Sequence, residues 1–77
     1  MSQQKVMGKE FYRSLLPLVN DKDYFDILVE YADQRIEVLR TLLETSKDPS
    51  RILEIQGSIT ELRRIATLRH ETLKGAE

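Results

Sequence analysis

Residues 42–54 read LLETSKDPSRILE. An apolar-periodic segment runs into this stretch and another runs out of it, and the residues between them cannot continue a helix. Asp48 followed by Pro49 is a helix start. The aspartate side chain accepts from an orphan N–H of the first turn, and proline is preset for the first helical position. Residues just before a proline disfavour the α region, so Ser46 and Lys47 close the preceding helix. A loop of about three residues joins antiparallel neighbours. The break falls near the midpoint of a 77-residue chain. Two matched arms of about 26 residues, each ~39 Å long as a helix, are therefore predicted to zip together as a hairpin.

Working outward, the second arm spans residues 49–74. Its apolar residues fall at Ile52, Ile55, Ile59, Leu62, Ala66 and Leu73 with spacings of three and four, and Arg69 fills the vacant slot. That is a heptad seam, widened by Leu53, Ile65 and Leu68. Gly75 reads as a left-handed stop, with Lys74 at the negative end of the helix dipole. The first arm spans residues 21–46, with Asp21 or Asp23 as its cap. Phe25, Leu28, Ala32, Ile36, Leu39 and Leu43 form its cleanest stripe, and Tyr24, Ile27, Tyr31, Val38 and Leu42 a second one beside it. Two adjacent stripes make a wide apolar face.

A turn centred near Lys47 sets a register in which Leu43 faces Ile52, Ile36 faces Ile59 and Leu28 lies near Ala66. The same register pairs Glu44 with Arg51, Asp33 with Arg63, Glu30 with Arg64 and Asp26 with Arg69. Residues 21–46 hold seven acids against three bases, and the bases of the second arm concentrate at 63–74. Surface pairs of this kind add only ~0–1 kcal/mol each, so their expected role is to fix register. Ahead of the hairpin, residues 1–8 read as a flexible terminus and 9–17 as a short amphipathic helix ended by Pro17. The wide face of the first arm is its predicted dock, in this subunit or a neighbour.

Glycine and proline are scarce, and no stretch alternates with period two for long. The chain reads as all-α: a long antiparallel, coiled-coil-like helical hairpin with a short N-terminal helix, in one domain over residues 9–77. A core this small rarely supplies more than ~3–5 kcal/mol without a disulfide, a metal or a partner. There is no cysteine and only one histidine, His70, so helix packing, self-association or both are left to supply the rest. The net charge of −1 lacks the basic excess of a dedicated nucleic-acid binder. No apolar run approaches the ~20 residues of a membrane span, and MSQQKVMGKEF holds no apolar signal region. A cytoplasmic protein is expected.

Catalytic constellations fail in turn. Cysteine chemistry has no cysteine, and His70 sits between Arg69 and Glu71, as a solvated surface histidine would. Thr67 stands where a bundle di-iron motif needs glutamate three residues before histidine. Neither phosphate-binding glycine motif is present. The paired carboxylates Asp21, Asp23 and Asp26 suit a helix start. No enzyme, cofactor, metal or small-molecule substrate is expected. Gly57 costs ~1 kcal/mol in mid-helix relative to alanine. Either a second backbone approaches there or the cost is simply tolerated.

The informative excess is apolar surface. A two-helix hairpin buries one stripe per helix, which leaves Tyr24, Ile27, Tyr31, Val38 and Leu42 open, with Ile65 and Leu68 beside them. Arg35 interrupts this second stripe, either as the edge of the apolar face or as a specificity charge at a subunit interface, where arginine is enriched. Large exposed apolar patches on small proteins mark interaction sites. The leading expectation is a non-enzymatic protein–protein interaction protein that forms a homo-oligomer or docks on another protein. The alternative is a nucleic-acid-associated regulator that sets Arg63, Arg64, Arg69 and Lys74 on phosphates.

Residues 48–69, DPSRILEIQGSITELRRIATLR, resemble a pattern in small α-helical accessory and virion-assembly proteins of tailed bacteriophages. In these an acidic first helix leads through a D-P turn into an I-x-x-x-Q-G-x-I-x-x-L-R-R-like run. The matching residues here are Ile52, Gln56, Gly57, Ile59, Leu62, Arg63 and Arg64. The resemblance implies a phage structural or assembly factor, or an inhibitor of a host protein, acting in the host cytoplasm or the virion through protein contacts. It implies no catalytic residue.

Overall fold

The computed structural model describes residues 7–77, so the flexible stretch expected over 1–8 lies almost wholly outside the described residues. Four helices follow in order: α1 (Lys9–Asn20), α2 (Lys22–Thr45), α3 (Pro49–Ala66) and α4 (Leu68–Gly75). No strand occurs among the described residues, and the fold is all-α. Helix α2 packs along α3 as an antiparallel hairpin. Helix α1 packs against α4 and, less extensively, α2.

The hairpin forms where the turn chemistry places it. The Asp48 carboxylate accepts from the Ser50 N–H at 3.0 Å and its carbonyl from the Ile52 N–H at 3.0 Å, with Pro49 in the first helical position. Helix α2 ends as both the N–H and the hydroxyl of Ser46 donate to the Leu42 carbonyl. At its other end, Asp21 is the cap of the two candidates, accepting from the Tyr24 N–H at 3.2 Å. The core of the hairpin is a cluster of Ile36, Leu39, Ile55 and Ile59, with Leu43 and Leu62 packed against it. It contains both members of the expected Ile36–Ile59 pair. Phe25 and Ala32 continue the buried stripe of α2. Burying an isoleucine side chain is worth ~1.5–3 kcal/mol, so these few residues dominate what holds the arms together.

Three expectations are corrected. Pro17 does not end α1, which continues to Asn20 with the proline inside it. Pro17 removes the bond to the Arg13 carbonyl, but it is exposed, so water can serve the freed acceptor. The expected continuous helix over 49–74 divides at Thr67, whose ψ of 6° departs from the helical value near −42°. The Thr67 N–H and hydroxyl both donate to the Arg64 carbonyl, at 3.1 and 3.0 Å, and this local bonding competes with the helical ladder. The seam therefore stops at Leu62. Ala66, Arg69 and Leu73 are exposed, and Thr72 is buried instead. Finally, Gly75 has no left-handed backbone. It is needed because the ring of Tyr12 occupies the space a Cβ would take.

The expected charge register between the arms is also absent. Among the described residues the ion pairs are Lys22–Asp26, Glu37–Arg40, Arg51–Glu54 and Glu61–Arg64, all within one helix, plus Arg64–Glu71. Neighbours three or four residues apart are within easy reach on a helix, and they win over partners across the hairpin. Register is thus set by the apolar seam and the turn, not by charge.

Candidate protein-interaction site

At about 100° per residue, Tyr24, Ile27, Tyr31, Arg35, Val38 and Leu42 fall within an arc of about 80° on α2. The row is roughly 27 Å long at 1.5 Å per residue. It lies beside the buried stripe, not on it, and so faces to one side of α3. The exposures follow: Tyr24 68%, Ile27 65%, Tyr31 59%, Val38 50% and Leu42 39%. Isolated exposed apolar residues need no explanation, but a continuous row on one rigid helix does. The helix that carries it is held from behind by Phe25, Ala32, Ile36 and Leu39, so the row is presented in a fixed geometry.

Helix α1 does not cover this row. The expected dock of residues 9–19 on the wide face of the first arm is replaced by packing mainly on α4. Val19 is the residue α1 buries. Tyr12 donates a hydrogen bond to Glu71 at 2.8 Å, and Arg13 donates through Nε to the Ala76 carbonyl at 3.3 Å. The bond to the Glu71 carboxylate holds the Tyr12 phenol above its ordinary value, with desolvation and the Glu71 charge adding to the effect and Arg64 opposing it. Ile65 and Leu68, expected to lie open beside the row, are half-buried on either side of the Thr67 break.

Arg35 belongs to the row and also to an open groove between α2 and α3, with Glu54, Gly57, Ser58 and Glu61 on the opposite wall. The groove therefore opens on the same side of the hairpin as the row. A Cβ at Gly57 would meet nothing within 4 Å, so no close approach inside this chain requires glycine there. Sequence reasoning singled out Gly57 but not its neighbours. The signal available was the adjacent small pair Gly57–Ser58 in mid-helix.

The basic residues are gathered less well. Arg64 is engaged by Glu61 and Glu71. Arg63, Arg69 and Lys74 are exposed and make no ion pair among the described residues. The break at Thr67 interrupts the helix between them, so they do not share one continuous helical face. Arg63 lines a second groove, with Arg40, on the other side of the hairpin. His70 is exposed. Among the described residues no group of three or more His, Asp or Glu side chains is placed to hold a metal ion. No described helix is long and apolar enough to cross a membrane.

Comparison with known proteins adds no neighbour: no family model matches the chain, and no curated protein or solved structure matches it either.

Proposed function

We propose that this protein acts without catalysis, as a helical module that binds protein through the exposed row of α2. The observation that carries the reading is the continuity of Tyr24, Ile27, Tyr31, Val38 and Leu42 along a helix fixed from behind by the hairpin core. Interface cores favour aromatic residues and arginine and are poor in other charges. The row holds two tyrosines and one arginine, with no lysine or acid. In the setting implied by the resemblance of residues 48–69, such a module serves phage assembly or restrains a host protein by occupying one of its helix-binding surfaces.

The test places a photo-crosslinking amino acid at Val38, within the row, and separately at Thr60, on the other side of the hairpin, in producing cells. Protein adducts form from position 38 and not from position 60. Equal adducts at both positions, or none at 38, would exclude the row as the working surface. Tyr31→Glu should abolish the adducts at position 38 while leaving helical circular dichroism unchanged.

A further inference from the structure

Resting on that reading, we infer that the occupant of the α2 row is a second copy of this chain, paired antiparallel about a twofold axis close to Tyr31 and Arg35. Two features support a second copy: the area left uncovered and the self-complementarity of the row.

The chain exposes 6304 Å² for a mass of 9.0 kDa, whereas the scaling for folded monomers gives about 4,850 Å² at that mass. Setting residues 1–6 aside with an allowance of roughly 1,000 Å², and applying the scaling to the remaining ~8.3 kDa, still leaves an excess of about 700 Å². A standard interface buries ~800 Å² on each partner. That excess is about the area that one protomer contributes to a stable dimer.

The row is complementary to its own reverse. Turned antiparallel on a second copy, Tyr24 faces Leu42 of the other chain, Ile27 and Leu28 face Val38, and Tyr31 faces Arg35. Each contact then occurs twice, as an isologous twofold interface requires. The one charge in the row meets an aromatic ring in both copies, an arrangement in which the guanidinium is attracted to the ring face. Parallel pairing would instead set Arg35 on Arg35, and like charges across an interface are costly. The one charge of the row therefore favours the antiparallel orientation.

The experiment uses the full chain, whose lack of native cysteine gives a clean background. Light scattering of the purified protein at low micromolar concentration should return twice the 9.0 kDa chain mass. Tyr31→Arg, which sets arginine against Arg35, should raise the dissociation constant at least about tenfold. The double variant Tyr31→Arg with Arg35→Tyr should restore the dimer, because it exchanges the partners without changing the pair. Under mild oxidation, Tyr24→Cys chains mixed with Leu42→Cys chains should link to each other faster than either links to itself. A monomer under these conditions overturns the second copy but leaves the row open to another protein, as the crosslinks from position 38 would report. Self-linking of Leu42→Cys overturns the antiparallel orientation. A dimer indifferent to Tyr31→Arg, with no adduct from position 38, overturns both this inference and the proposed function.

Discussion

The two helix pairs of this molecule are held by different means. Between α2 and α3 no side-chain hydrogen bond or ion pair crosses among the described residues, and the contact is an apolar cluster of Ile36, Leu39, Ile55 and Ile59. Between α1 and α4 the contact is short and polar at its rim. Tyr12 reaches Glu71, Arg13 reaches the Ala76 carbonyl, and the Tyr12 ring lies against Gly75. Thr72 of α4 is buried, and its hydroxyl has no hydrogen-bond partner. A long pair accumulates enough apolar burial to need no polar specification. A pair of 12 and 8 residues cannot, so its docking depends on a few shaped contacts.

The sharpest way to break this contrast is in the hairpin. Ile55→Ala removes a side chain only 2% exposed and should cost ~2–5 kcal/mol. That is comparable to the whole stability of a domain this small, ~3–5 kcal/mol. Urea denaturation followed by circular dichroism should show the variant largely unfolded at room temperature. A loss below about 1 kcal/mol would mean that the seam is not where stability resides.

The next effect lies in the short pair. Gly75→Ala forces a methyl into the space of the Tyr12 ring and should destabilise by ~1–3 kcal/mol, the usual cost of overpacking. Adding Tyr12→Ala to Gly75→Ala should remove most of that further loss. Additive losses in the double variant would show that the ring and the glycine do not meet.

Thr72→Val should instead stabilise, by ~1 kcal/mol, because it replaces an unsatisfied buried hydroxyl by a methyl of the same shape. Calorimetry giving a lower melting temperature would reveal a partner for that hydroxyl. Gly57→Ala should add ~0.5–1 kcal/mol to the stability of the monomer, since a Cβ there meets nothing. If the same change weakens assembly in light scattering, the groove beside the row is part of the contact.

The smallest effect separates the pairs by pH. The Tyr12 phenol has a raised value in the fold, so its hydrogen bond contributes fully below the unfolded value near 10.0 and is lost as pH rises through the folded value. Lys22, raised chiefly by its hydrogen bond to Asp26, follows the same sign and is unchanged in Tyr12→Phe. The alkaline fall in denaturation midpoint should therefore be steeper in the wild-type chain than in Tyr12→Phe. Identical alkaline profiles would mean that the Tyr12–Glu71 bond does not couple to folding.

The hairpin was legible in the residues because its signals are local. Asp48–Pro49 fixes the turn through one side chain and one ring, and the α2 stripe from Phe25 to Leu43 is a periodicity that any helix must bury. The exposed row from Tyr24 to Leu42 was legible for the same reason, being the stripe left over once the other is used. The break at Thr67 was not, because threonine is tolerated in helices and only its bonding to the Arg64 carbonyl shows the ladder yielding. Nor was the α1–α4 contact. Tyr12 and Glu71 stand 59 residues apart, and no period or cap connects them.

What the sequence determined by itself is the all-α hairpin, the corner that reverses it, and a surplus apolar face on the first arm. Each follows from interactions within a few residues along the chain. The tertiary structure alone decided that α1 turns to α4 and leaves the α2 row bare, and that charges pair within helices rather than across the hairpin. Those outcomes depend on competition among surfaces distant in sequence, where side-chain shape and reach select the partner, and a linear pattern records neither.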